Sequence, residues 1–172
     1  MPVELNATAA SVLGFLSLGP LTGWDLNDLA QVSVGHFWNM TKSQVYRELN
    51  ALVAQGLVEV DDVGARNARR HRLTKAGRTA LHDWLVADVG ETTTRNPGLV
   101  RLFFAAEMTP RERRALIEAG RARSAAKLAV LEDALEMAEQ LSPGAAATAR
   151  YGIAVERAVQ AWFDEAPWGL EA

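Results

Sequence analysis

The sequence predicts a mostly α-helical chain with one β-hairpin, divided into a mixed unit over residues 1–90 and an all-helical unit over residues 91–172. Three observations predict it. Apolar residues recur at helical spacing along most of the chain. Ser or Thr stands where those runs begin, and Gly or Pro where they end. Two short strand-like runs flank a turn, and only between residues 57 and 73.

The first helix covers residues 6–18, with Ala9, Val12, Leu13 and Leu16 on one face and Gly19-Pro20 as its stop. "LTGWDL" opens a second, short helix. Thr22 is its N-cap and Asp25 sits three residues on, as in a capping box. Gly35 and Phe37-Trp38 then break the pattern. The third helix, "TKSQVYRELNALVAQGLV", has Thr41 and Gln44 as its capping box and Gly56 as its C-terminal stop. Val45, Leu49, Leu52 and Val53 form an apolar stripe. Lys42, Ser43, Tyr46, Arg47 and Asn50 form a second face, which is polar and basic.

"LVEV" (57–60) and "RRHRL" (69–73) read as the two strands of the hairpin, with Gly64 and Asn67 as turn residues between them. Thr74 caps a fourth helix whose apolar face is Leu81, Trp84 and Leu85. Helix, helix, helix, hairpin, helix is the layout of a winged helix-turn-helix.

In the second unit "ETTTRNPG" (91–98) reads as a linker and "LVRLFFAAEM" as a short apolar helix. "TPRE" (109–112) combines an N-cap Thr, a Pro at the first helical position and a Glu three residues after the cap. The next break is "SPG" (142–144), so the helix between runs for about 32 residues, roughly 48 Å. Leu128, Leu131, Leu135 and Ala138 follow the 3-4-3 spacing of a helix–helix seam. The last helix carries Tyr151, Ala154, Val155, Ala158, Val159 and Trp162 on one face. A lone helical hairpin cannot cover all of this. Pairing with a second copy is the expected solution, through Leu128, Leu131, Leu135, Tyr151, Val155 and Trp162.

Charge narrows the function. The chain is net acidic, with 18 Lys plus Arg against 21 Asp plus Glu. Yet "RNARRHRLTKAGR" (66–78) holds six basic residues and no acid. One reading is a solvated hairpin edge protected by charge. Beside a capped helix with a basic face, the stronger reading is contact with double-stranded DNA. Arg69, Arg70 and Arg72 would meet phosphates, although strand alternation cannot aim all three the same way. Arg47 and Asn50 have the chemistry to read base edges.

Other classes find little support. There is no cysteine, and no apolar run of membrane-spanning length. The N-terminus lacks a basic segment before an apolar stretch, so no secretory signal and a cytoplasmic location are expected. His36, His71 and His82 share no metal-ligand spacing. No Gly-rich phosphate loop or nucleophile motif is present. Neither metal, cofactor nor catalysis is expected. Trp38, Trp84 and Trp162 are read as core or interface anchors.

"LGFLSLGPLTGWDL" (13–26), "GHFWNMTKSQVYRELNALVAQGLVE" (35–59) and "RRHRLTKAGRTALHDWL" (69–85) together resemble the PadR family of bacterial transcriptional regulators. The likeness rests on the Gly-Pro-Leu-Thr-Gly turn, on Tyr46-Arg47-Glu48-Leu49 before Gly56-Leu57-Val58, and on Leu73-Thr74-x-Ala76-Gly77. It covers residues 6–88. Trp24 departs from the family's usual Tyr and is read as packing. Helix layout and "LFFA" make the remainder similar to the longer subfamily with a helical C-terminal dimerisation domain. The resemblance implies a homodimer that binds a palindromic operator and usually represses. It also implies that Tyr46 contacts phosphate or base, and that a small-molecule effector releases the DNA. Two alternatives stay open: a winged-helix protein–protein module, and a small-molecule-binding protein without DNA binding.

Overall fold

The computed structural model describes residues 5–35, 37–63, 69–89, 95–166 and 168–169. The chain divides into two compact units, residues 1–90 and 91–172.

In the first unit, α1 (Ala7–Leu16) is capped by Asn6, whose side chain accepts from the Ala9 N–H. The chain then forms β1 (Leu21–Thr22) and α2 (Gly23–Ser33). Thr22 and Asp25 make the reciprocal capping box. Gln31 Nε2 donates to the Met40 carbonyl at 2.6 Å and ties α2 to the start of α3 (Lys42–Ala54). Thr41 and Gln44 close the second capping box. At the end of α3, Gly56 adopts φ +70°, a left-handed conformation that only glycine takes without strain. Leu57 N–H then bonds the Leu52 carbonyl and Gly56 N–H the Val53 carbonyl, both at 3.0 Å, a Schellman ending.

That turn launches β2 (Val58–Val63), which pairs antiparallel with β3 (Arg69–Leu73) across an irregularity between Val60 and Asp62. β2 runs three residues past the expected end at Val60, because cross-strand pairing holds Asp62 and Val63 opposite Arg70 and Arg69. The expected turn residues Gly64 and Asn67 lie outside the described residues. β1 adds a third strand, with Leu21 opposite His71 and Thr22 opposite Arg70, so β3 is central. The sequence reading had only a hairpin.

Thr74 caps α4 (Lys75–Val86) and clamps it to the Schellman turn. Its Oγ1 accepts from Gly77 N–H and lies 2.9 and 3.0 Å from the Gly56 and Leu57 carbonyls. Val12, Leu13, Leu16, Leu26, Val45, Leu49, Leu52, Val58 and Leu73 fill the core. The expected α4 face is corrected. Leu81 joins the core, but Trp84 and Leu85 are exposed within the unit. Trp24, read as packing, is 59% exposed. Trp24, Trp84 and Leu85 are not part of the core cluster to which Leu26 and Leu81 belong.

In the second unit, the expected linker gives way early to α5 (Pro97–Phe103), capped by Asn96. Residues 91–94 lie outside the description. A 3-10 turn (Ala105–Glu107) leads to α6 (Pro110–Leu141) and α7 (Pro143–Asp164), capped at Thr109 and Ser142. α6 and α7 form an antiparallel hairpin. Arg150–Glu139 and Arg157–Glu132 bridge it at 2.7 Å, and Arg121–Asp164 at 3.2 Å. Between them Glu156 is buried and fully engaged, accepting from Ser124 Oγ at 2.7 Å and pairing with Lys127 Nζ at 2.8 Å.

Gly77 offers a test of the clamp. A Cβ there would lie 2.1 Å from the Leu57 carbonyl oxygen. Gly77→Ala is expected to destabilise the first unit by about 1–3 kcal/mol, by forcing α4 off the turn. Urea unfolding should show a lower midpoint, and an unchanged midpoint would contradict the clamp.

Candidate nucleic-acid interface

The apolar stripe of α3 determines where its other residues point. Val45, Leu49 and Leu52 are buried, so Lys42, Ser43, Tyr46, Arg47 and Asn50 all emerge on the exposed side. The structure therefore brings these candidates onto one surface. Both ends of the helix are fixed, by the Thr41 box and the Gly56 turn, so the face is presented on a rigid element.

Tyr46 is positioned by its neighbour across the helix-turn-helix. A Cβ at Gly23 would lie 2.6 Å from Tyr46 Cε1. The bare backbone at the start of α2 is thus the seat of the ring, and 38% of Tyr46 remains exposed. Lys42 Nζ stands 6.0 Å from the ring centroid, at the limit of a cation–π contact. Pattern reading did not connect Gly23 with Tyr46, although Gly23 closes the Gly-Pro-Leu-Thr-Gly turn that carries the resemblance.

Arg47 pairs with Glu48 at 3.1 Å, with its own side chain 69% exposed. Glu48 is turned inward and accepts weakly from Asn6 Nδ2 at 3.5 Å. The α3 acid is thereby kept off the exposed face, while Arg47 stays on it.

The three strand arginines are not equivalent. Arg70 Nη2 donates to the Pro20 carbonyl at 3.0 Å, which holds it against the β1 turn. Arg72 lies between two acids of β2, 3.1 Å from Glu59 and 2.8 Å from Asp61. These pairs are exposed and individually weak, but they offset the local charge of Arg72. Arg69 is exposed at the far end of the strand, with no side-chain partner found among the described residues. Strand alternation sends His71 and Leu73 into the core instead.

The expected self-association residues are split. Leu131 is buried within its own chain, and Leu128 and Leu135 are half-buried. Trp162 is half-buried and stacks on Trp168 at 4.1 Å. Tyr151 and Val155 are exposed. So are Phe103 and Phe104, which the sequence reading left unassigned to any site. Among the described residues no His, Asp and Glu side chains cluster as a metal site requires. No helix there is long and apolar enough to cross a membrane.

Comparison with known proteins adds to this geometry. Residues 12–83 match the Transcriptional regulator PadR-like family, and residues 94–168 match the Virulence activator alpha C-term family. The chain is 27% identical over 130 residues to the negative transcriptional regulator PadR of Bacillus subtilis (strain 168), covering 73% of this chain and 71% of that protein. The crystal structure of Bacillus subtilis PadR in complex with operator DNA matches at TM-score 0.80 and 24% identity, over 92% of this chain and 96% of that one. The same protein in complex with p-coumaric acid matches at 0.77 and 23%, over 97% and 100%. The Vibrio cholerae virulence activator AphA matches at 0.68 and 27%, over 92% and 95%. The fold is therefore that of the PadR-like winged helix with a helical C-terminal region.

His71 supplies a test of the sheet behind the interface. It is buried, its Nδ1 lacks a partner, and burial together with nearby Arg69 lowers its pKa, against raising contributions from the Leu21 and Arg69 backbone. The unfolded chain therefore binds the proton more readily. Stability is fully present above the ordinary histidine value of about 6.5 and declines as pH falls below it. Urea midpoints measured from neutral to mildly acidic pH should fall, and His71→Phe should flatten that dependence. Equal slopes for the two proteins would contradict it.

Proposed function

Taking the chain as a PadR-like transcriptional regulator, we propose that it binds a palindromic operator as a homodimer, represses transcription in the cytoplasm, and releases the DNA when a small molecule binds. The observation that carries the reading is the α3 face. Lys42, Ser43, Tyr46, Arg47 and Asn50 stand together on a doubly anchored helix from which the acid is turned inward. A rigid, basic, hydrogen-bonding ridge suits the major groove, where Arg reads guanine and Asn reads adenine. The wing flanks it, and Arg69, Arg70 and Arg72 serve as backbone contacts in decreasing order of freedom. That the Bacillus subtilis relative has been solved with operator DNA and with p-coumaric acid supports both kinds of partner.

Homodimerisation is assigned to the C-terminal unit. Leu128, Leu131 and Leu135 serve mainly its internal packing. Tyr151, Val155, Phe103 and Phe104 supply the uncovered apolar surface, and Trp162 stiffens it from behind. Light scattering should give twice the 18.7 kDa chain mass. Only monomer at micromolar concentration would contradict the dimer. In a dimer, two α3 helices are expected roughly 34–36 Å apart or a multiple of that, so footprinting should protect two inverted half-sites.

The DNA reading is tested by titrating DNA selected from a random pool, and unselected DNA, at several salt concentrations. Arg47→Ala or Asn50→Ala should cost about 1–3 kcal/mol on the selected site and much less on unselected DNA. Arg69→Ala should weaken both and reduce the log K versus log salt slope by roughly 0.9. Arg70→Ala should do the same to a smaller extent. Arg72→Ala should change the slope least, because Glu59 and Asp61 already offset its charge. Salt-independent affinity with no effect of these variants would favour a protein–protein module instead.

A further inference from the structure

The C-terminal unit contains a half-open cavity of about 660 Å³ between α5, α6 and α7. That volume lies within the range of small-molecule sites, about 300–1,000 Å³. Its walls are apolar, with Leu102 on α5, Ile117 on α6 and Val159 on α7. The stacked pair Trp162–Trp168 closes part of it.

The polar groups on the wall share one property: each is left with hydrogen-bond donors to offer. Asn96 spends its Oδ1 on capping α5, accepting from Gly98 and Leu99, so its amide N–H groups remain. Trp168 is held at φ +50° and buries an indole Nε1–H with no acceptor found among the described residues. Arg123 forms no ion pair found among the described residues, whereas Arg121, Lys127, Arg150 and Arg157 of the same hairpin all pair with acids. No Asp or Glu lines the cavity. Such a wall is complementary to an apolar body with a single anionic, acceptor-rich head.

We propose that this cavity binds an amphipathic monocarboxylate large enough to fill it, with the carboxylate at Arg123 and the apolar body between Ile117, Val159 and Trp162. Size ranks the candidates: a single-ring acid takes up only a small part of the volume, whereas a long-chain fatty acid or a polycyclic aromatic acid takes up considerably more. Both share the recognised chemistry. The proposal deepens the regulator reading only where it reaches DNA, since it then names the class of effector. Binding to the cavity stands without that reading.

The experiment uses the full chain with palmitate, anthracene-9-carboxylate, benzoate and hexadecanol as probes, read by tryptophan emission and calorimetry. Palmitate or anthracene-9-carboxylate, or both, should bind saturably, one per chain, with benzoate much weaker. Which of them binds identifies the source as aliphatic or polycyclic. Arg123→Gln, at an exposed position, should weaken the acid by about tenfold or more and leave hexadecanol unchanged. Val159→Trp should obstruct the part of the cavity that takes the apolar body and weaken binding of acid and alcohol alike. Absence of saturable binding by either acid would overturn the proposal. So would acid affinity untouched by Arg123→Gln, or a partner copy found seated in the cavity. Gel shifts with selected DNA are run in parallel. A chain that binds the acid but no DNA overturns the regulator reading alone, and one that binds DNA but no acid overturns the cavity alone.

Discussion

The backbone of Leu57 is the junction on which the first unit depends. Its N–H completes the Schellman ending of α3, and its carbonyl accepts from Thr74 N–H at 3.1 Å and lies 3.0 Å from Thr74 Oγ1. One residue thus joins the end of α3, the start of β2 and the start of α4. The arrangement works only because Gly56 supplies a left-handed turn on one side and Gly77 leaves out a Cβ on the other. Without it, the α3 face and the wing would be two basic segments with no fixed relation. A rigid ligand such as duplex DNA rewards that fixed relation, because contacts from the two segments then need no further ordering of the backbone.

Charge follows the same economy. The unit does not simply accumulate cations. Glu48 is drawn inward toward Asn6, and Arg72 is held by Glu59 and Asp61 across the irregular part of the hairpin. Arg70 is tied to the Pro20 carbonyl, and so also braces the short β1 strand against β3. Among the described residues no ion pair is found for Lys42 on α3, for Arg69 and Arg70 on β3, or for the exposed Lys75 and Arg78 on α4. Offsetting a cation with neighbouring acids lowers adhesion to polyanions in general.

What was legible in the sequence was local. The caps at Thr22, Thr41, Thr74 and Thr109 could be read because capping is chemistry between residues two or three apart. The α3 face could be read because periodicity alone separates it from the core stripe. What was missed was made by distant pairing. β1 is two residues long and exists only because β3 lies beside it. β2 extends through acidic residues for the same reason. The partners that distinguish Arg70 and Arg72 from Arg69 belong to other segments, as does the Gly23 seat beneath Tyr46. Trp162 looked like part of an open face because nothing in its neighbourhood announces the stack with Trp168.

The buried Glu156 gives the α6–α7 hairpin the character of a keyed shaft. Sliding one helix by a turn, about 5.4 Å, would separate Glu156 from Ser124 and Lys127 and strand a carboxylate in an apolar seam. The Glu139–Arg150 and Glu132–Arg157 pairs would part in the same motion. Helical pairs without such keys can shift register by small steps. Here a one-turn slip is opposed by the cost of leaving Glu156 buried without its partners.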